Sequence, residues 1–155
     1  MPGPPLITGA GRRYSEFRVG DTFGASFTIT EAHLDRGADL IGDFNPLHVD
    51  PVFAGASRFG GRILHGVLTS AMMSAPFGNL VSGTALGYLE HNARFLAPVR
   101  PGDTLTVTWT VMELIAKPRH DGGIVIAECV ALNQDDVPVA TATGKMLVSD
   151  SASAS

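Results

Sequence analysis

From Ile63 to Leu89 the chain has no aspartate, glutamate, lysine or arginine, and four long strand-like stretches follow directly. Within the run, Ile63, Leu64, Val67, Leu68, Ala71, Met72 and Ala75 predict a helix that is apolar around most of its circumference. Such a helix lies either in a membrane or inside a protein. His65, Pro76, Asn79 and four glycines interrupt the run, and leaving their polar groups in hydrocarbon is costly. The expectation is therefore a buried helix, starting near His65-Gly66 and ending near Pro76 to Asn79, in a chain with no membrane span.

The cover for that helix is read from the rest of the chain. Thr22 to Thr30, TFGASFTIT, predicts a strand. Thr30 is placed to cap a helix through EAHLDRGADLI, whose Leu34, Ala38 and Ile41 fall on one face, and Gly42 ends it. A loop, DFNPLHVDP, follows; Asp50-Pro51 then opens a short helix through Ala54, and RFGGR is a flexible link. After the apolar helix come GYLEHNARFLAPV, TLTVTWTVMELIAK, IVIAECVAL and VPVATATGKMLV, the last two joined by the turn NQDD. Strands segregated from helices predict an α+β fold, with one long antiparallel sheet wrapped around the central helix. A single sheet of this kind leaves bare edge strands, which predicts pairing of two copies.

At 155 residues the chain makes one domain, expected over 15–149, between a Pro/Gly-rich tail at 1–14 and a small-residue tail at 150–155. The net charge of −4, with scattered lysines and arginines, offers no basic stripe for nucleic acid. Cys129 is the lone cysteine, so no intrachain disulfide forms, and the five histidines have no metal-ligand spacing; no metal is expected. The first residues lack the pattern of a signal peptide, and a cytoplasmic location is expected.

Chemistry concentrates in Gly42-Asp43-Phe44-Asn45-Pro46-Leu47-His48-Val49-Asp50. Pro46 disfavours a continuous helix here and pushes Asn45 toward an extended conformation. A folded-back turn then aims Asp43 and His48 into one pocket, where a carboxylate and an imidazole facing a common water form an acid/base pair. The competing reading is an ordinary helix-ending turn. A second signal is Leu64-His65-Gly66 at the start of the apolar helix. Helix-start amides lack partners and carry partial positive charge, and Gly66 has no side chain to shield its N–H from a carbonyl oxygen. The alternative there is a glycine that lets helix and sheet pack closely, and His65 reads as a hydrogen-bonded structural histidine.

Together these segments resemble the MaoC-like family of (R)-specific enoyl-thioester hydratases and dehydratases. GDFNPLHVDPVFA is similar to that family's hydratase signature, GGRILHGVLTS to its following segment, and YLEHNARFLAPVRPGDTL to its later strand and turn. The likeness covers about Arg18 to Val148. Ala38-Asp39-Leu40-Ile41 depart from the family, which has an aromatic and a small residue there; this bears on the pocket wall. The resemblance implies the hot dog fold, in agreement with the order of elements above. It also implies that Asp43 and His48 are the catalytic pair and that the Gly66 N–H receives the thioester carbonyl. Ser74 would orient the aspartate and Asn45 would hold the loop.

The implied reaction is reversible addition of water to a trans-2-enoyl thioester of coenzyme A or acyl carrier protein, giving a (3R)-hydroxyacyl thioester. The thioester itself makes the β carbon electrophilic, so no cofactor is expected. The implied partners are the acyl thioester and a second copy of the chain. Two rivals remain: a hot dog thioesterase, which many times carries a carboxylate on its central helix, and a non-catalytic acyl-thioester-binding subunit. The absence of Asp and Glu from Ile63 to Leu89 weighs against the first, and the presence of both Asp43 and His48 against the second. The acyl pocket is expected beside the helix, near Met72, Met73 and Phe77, residues that core filling explains equally well. Arg62, Arg94 and Arg100 are the cations a nucleotide phosphate would meet, although arginines near strand ends are ordinarily solvated.

Overall fold

The computed structural model of the protein describes residues 11–151. The N-terminal tail expected at 1–14 lies outside the described residues up to position 10, and the C-terminal one outside them from position 152. Strand β1 (Thr22–Thr28) leads into helix α1 (Glu31–Ile41), two short helices α2 (Pro46–Val49) and α3 (Pro51–Ala56), and the long helix α4 (Gly66–Leu80). Strands β2 (Ala85–Phe95), β3 (Thr104–Lys117), β4 (Gly122–Leu132) and β5 (Pro138–Ser149) complete it. All pair antiparallel in one sheet of order β1-β3-β4-β5-β2. This is the hot dog arrangement, α+β, as the order of elements predicts.

The caps follow the local chemistry. Thr30 accepts from the His33 N–H at the start of α1, and Gly42 ends that helix at φ +75°, a conformation that favours glycine. Asn45 caps α2 and the Asp50 carboxylate accepts from both Val52 and Phe53 N–H at α3. Here the structure corrects the expectation of a plain loop: Pro46 begins a helical turn, because the first helical position needs no N–H and proline already has a helical φ.

The core lies between α4 and one face of the sheet. Leu105, Val107, Trp109 and Val111 alternate inward along β3, with Val125, Ala127, Cys129 and Ala131 beside them on β4. Trp109 is fully buried, and its indole N–H donates to the Met73 carbonyl of α4 at 2.8 Å. Phe77 meets Trp109 and Phe23 with ring centroids 5.3 and 5.2 Å apart. The helix is less enclosed than its composition predicts. Met73, Pro76 and Phe77 are buried, whereas Val67, Ala71 and Ala75 form an exposed stripe. Among the described residues no helix is long and apolar enough to cross a membrane.

The first described residues join the fold. Gly11 and Arg12 donate backbone bonds to Ser82 and Leu80 at the end of α4, and the Phe17 side chain is buried in the core.

Candidate active site

The α1–α2 junction meets the start of α4 through two histidines. Gly42 turns the chain out of α1, and Asp43 follows with its Oδ1 accepting the Asn45 N–H at 3.1 Å. The Asn45 Oδ1 in turn accepts from the Leu47 N–H at 3.0 Å, so Asn45 holds the loop. One turn of α2 then presents His48. Its Nδ1 lies 2.8 Å from the Ile63 carbonyl oxygen. A carbonyl only accepts, so Nδ1 carries the hydrogen and the Nε2 of a neutral ring offers a lone pair. That Nε2 stands 3.9 Å from Asp43 Oδ2. The gap is too long for a direct hydrogen bond and of a size for one water to touch both atoms.

His65 secures this geometry. It is 1% exposed, its Nε2–H donates to the Asp43 carbonyl at 2.9 Å, and its ring stacks on that of His48 with centroids 3.8 Å apart. It is therefore hydrogen-bonded and structural, as expected, and it positions both members of the pair at once. Its Nδ1 is buried without a partner. Ligand atoms of Asp43, His48 and His65 lie within 4.8 Å of one another, close enough to consider a metal. The two stacked rings, 25° apart, aim their in-plane lone pairs along neighbouring planes instead of at one point, and each ring already spends one nitrogen on a carbonyl. The arrangement suits proton handling better than metal binding.

Helix α4 starts with no side-chain cap, because His65 at the N-cap position makes no such bond. The Gly66 N–H thus has no protein acceptor among the described residues. A methyl group at Gly66 would meet the Phe95 ring at 3.4 Å, an ordinary contact. Packing alone does not demand glycine here.

His48 and Gly66 share a cleft of about 340 Å³ whose other walls include Ile63, Leu64, Phe95, Leu96 and Val99. Arg58 stands at its rim, exposed. A larger hollow of about 930 Å³ lies on the opposite, threonine-rich face of the sheet, with no carboxylate–imidazole pair in its lining.

Of the residues singled out in the sequence, Asp43, Asn45, His48 and Gly66 are brought together and Ser74 is not. Ser74 lies two turns along α4 from Gly66, and its hydroxyl donates to the Ala71 carbonyl of its own helix at 2.6 Å. Arg62 is not free for phosphate either. It pairs with Glu31 and, at 2.7 Å, with Asp35, and donates to the His48 carbonyl at 3.2 Å. The bond to Asp35 leads in raising its pKa. Sequence reasoning missed this tie between α1 and the end of α2; the signal was Glu31 and Asp35, one helical turn apart on α1.

The MaoC like domain description matches residues 16–127. The chain belongs to the MaoC-like domain family. Within that company, this MaoC-like chain is 34% identical over 106 residues to the (R)-specific enoyl-CoA hydratase of Rhodospirillum rubrum, covering 68% of this chain and 74% of that one. It is 35% identical over 107 residues to the 3-hydroxybutyryl-CoA dehydratase of Methylorubrum extorquens, with coverage of 69% and 68%. Among solved structures, the unliganded R-hydratase PhaJ1 of Pseudomonas aeruginosa is similar to it with a TM-score of 0.79 and 30% identity, over 90% of this chain and 86% of that one.

Proposed function

We propose that the protein is a hydro-lyase that adds water reversibly to a trans-2-enoyl thioester, giving a (3R)-hydroxyacyl thioester. The observation that carries this reading is the 3.9 Å gap between Asp43 Oδ2 and His48 Nε2, where His48 and the uncapped Gly66 amide line one cleft. The names of the relatives support it. A water in the gap donates its hydrogens to the carboxylate and the imidazole and turns its oxygen lone pair to the β carbon. As the C–O bond forms, the pair takes one proton from the water. Electron density moves from the double bond to the thioester oxygen, which the Gly66 N–H stabilises at the positive end of α4; one such donor is worth about 3–4 kcal/mol. Return of one proton from the pair to the α carbon completes the addition and leaves both residues as they began. The two groups act as a coupled pair.

The carrier is coenzyme A or acyl carrier protein; the exposed Arg58 at the cleft rim supports this as a cation a carrier phosphate would meet. The working unit is a homodimer or an assembly of dimers. The reading includes a cytoplasmic location, supported by a lone cysteine, Cys129, buried as a free thiol.

The test is hydration of crotonyl-CoA, followed as loss of the conjugated thioester absorbance, with Asp43→Asn and His48→Gln as controls. Each substitution removes a proton-transfer partner and is expected to lower kcat at least about 100-fold while the melting temperature holds. Turnover near wild type in either variant refutes the assignment, and release of free thiol instead of hydration makes the protein a thioesterase.

A further inference from the structure

One polar cluster is not used by the site above. Ser70 Oγ lies 2.6 Å from His91 Nε2, and the other nitrogen of that ring bonds the Tyr88 hydroxyl. Ser70 is on α4, and His91 and Tyr88 are on β2, so the chain of bonds runs crosswise from helix to edge strand. Its partners satisfy one another: the single unpartnered buried side-chain polar atom among the described residues is His65 Nδ1, elsewhere.

Its position relates it to the cleft. Ser70 follows Gly66 by four residues and so lies on the same face of α4, about 6 Å farther along the axis. On β2 the order is parallel in space: Phe95 lies against Gly66, His91 against Ser70, and Tyr88 against Phe77 with ring centroids 6.1 Å apart. The cleft lining includes Gly66, Thr69 and Phe95 and none of Ser70, His91, Tyr88 or Phe77. Behind the cluster, His91 faces Trp109 at 6.2 Å and Phe77 packs on Trp109, so the space is filled. Burial pushes the Tyr88 hydroxyl up to about 12 and lowers His91, so both groups are neutral at pH 7 and the bar carries no net charge.

We infer that Ser70, His91 and Tyr88 form a hydrogen-bonded bar that closes the groove between α4 and β2 and limits the acyl chain to short lengths. The inference rests on the proposed enoyl-thioester reaction. With the thioester carbonyl at the Gly66 amide, an acyl chain that follows this face of α4 meets the bar after about 6 Å. An extended chain advances about 1.2 Å per bond, so the limit falls at about six carbons. The bar excludes longer chains by bulk, and by the loss of the Ser70–His91 bond that entry of methylenes would impose on two partly buried polar groups.

The experiment is a series of trans-2-enoyl-CoA substrates of four, six, eight and ten carbons, read as kcat/KM for the wild type, Ser70→Ala, Ser70→Gly and the double variant Ser70→Gly/His91→Ala. For the wild type, the eight-to-four-carbon ratio of kcat/KM is expected at about one tenth or less. Opening the bar is expected to raise that ratio at least about tenfold, with the change in KM for the long substrate. Ser70→Ala keeps the helix and so gives a folded variant even where the double change does not. A flat wild-type profile from four to ten carbons, or folded variants with the wild-type ratio, overturns the inference. Failure to hydrate any substrate in the series, crotonyl-CoA included, is a different result and overturns the enoyl-hydration reading beneath it.

Discussion

At His48 a hydrogen bond to a carbonyl decides which nitrogen is left free. With Nδ1 tied to Ile63, Nε2 is the free atom, and it is the one that faces Asp43. The Gly66 amide has no protein acceptor among the described residues. Because a methyl group there meets Phe95 at ordinary contact distance, Gly66→Ala should fold with an unchanged melting temperature. On the proposed reaction, a methyl group beside that amide is expected to hinder the incoming thioester oxygen, and kcat for crotonyl-CoA should fall about 100-fold, as when an oxyanion donor is lost. A variant as active as wild type would leave Gly66 with a packing role only. His91 sets a third expectation. Burial lowers its pKa below the usual value of about 6.5, so on acidification the unfolded chain takes up this proton before the folded one. Its contribution to stability is full above about pH 6.5 and is lost as pH falls through the lower folded value. Melting temperatures measured from pH 8 to pH 5 should therefore drop more for wild type than for His91→Gln; parallel curves would show that this ring adds nothing to acid sensitivity.

At the scale of elements, the contact of α4 with β3 centres on Trp109. The ring is fully buried, and its N–H reaches the Met73 carbonyl. Trp109→Phe loses that bond and leaves unfilled volume beneath the helix, so it should destabilise the fold by about 1–3 kcal/mol, read as a lower urea midpoint at unchanged slope. An unshifted midpoint would mean that the helix re-seats on the sheet without the indole. Strand β3 was legible from the sequence because its Thr/Val/Trp alternation has the period of a half-buried strand, and its observed limits are Thr104–Lys117. Helix α2 was not. Proline is read as a helix breaker, yet at the first helical position, behind an asparagine cap, it starts one. At Ser74 the limit is related. Matching a residue to a pattern fixes its place along a helix, whereas the direction of its hydroxyl depends on the nearest acceptor, here its own Ala71 carbonyl.

For the whole molecule, the exposed stripe of Val67, Ala71 and Ala75 is the counterpart of a charge-free helix that one sheet covers on one side only. The outer edge of β2 is also unpaired, since β2 ends the sheet, and Leu86 and Leu89 on it are 47% and 54% exposed. Bare edges invite a second strand, and apolar surface left open invites a second copy. The chain should therefore run in light scattering at twice its 16.2 kDa or a multiple of that dimer. Leu86→Asp combined with Leu89→Asp, which charges the edge, should shift it toward monomer. A wild type that is monomeric at micromolar concentration would show that this edge does not drive assembly.

Local pattern along the chain carried the strand periods, the order of the strands with α1, α3 and α4, and the caps at Thr30 and Asp50, because these depend on neighbours within a few residues. Packing of helix on sheet set the rest: His65 grips both Asp43 and His48, Arg62 is spent on Glu31 and Asp35, and Ser70 reaches His91 across the groove. Those contacts join residues 17 to 31 positions apart. Distance and angle between such groups arise from how helix and sheet pack, and no local pattern in the chain encodes them.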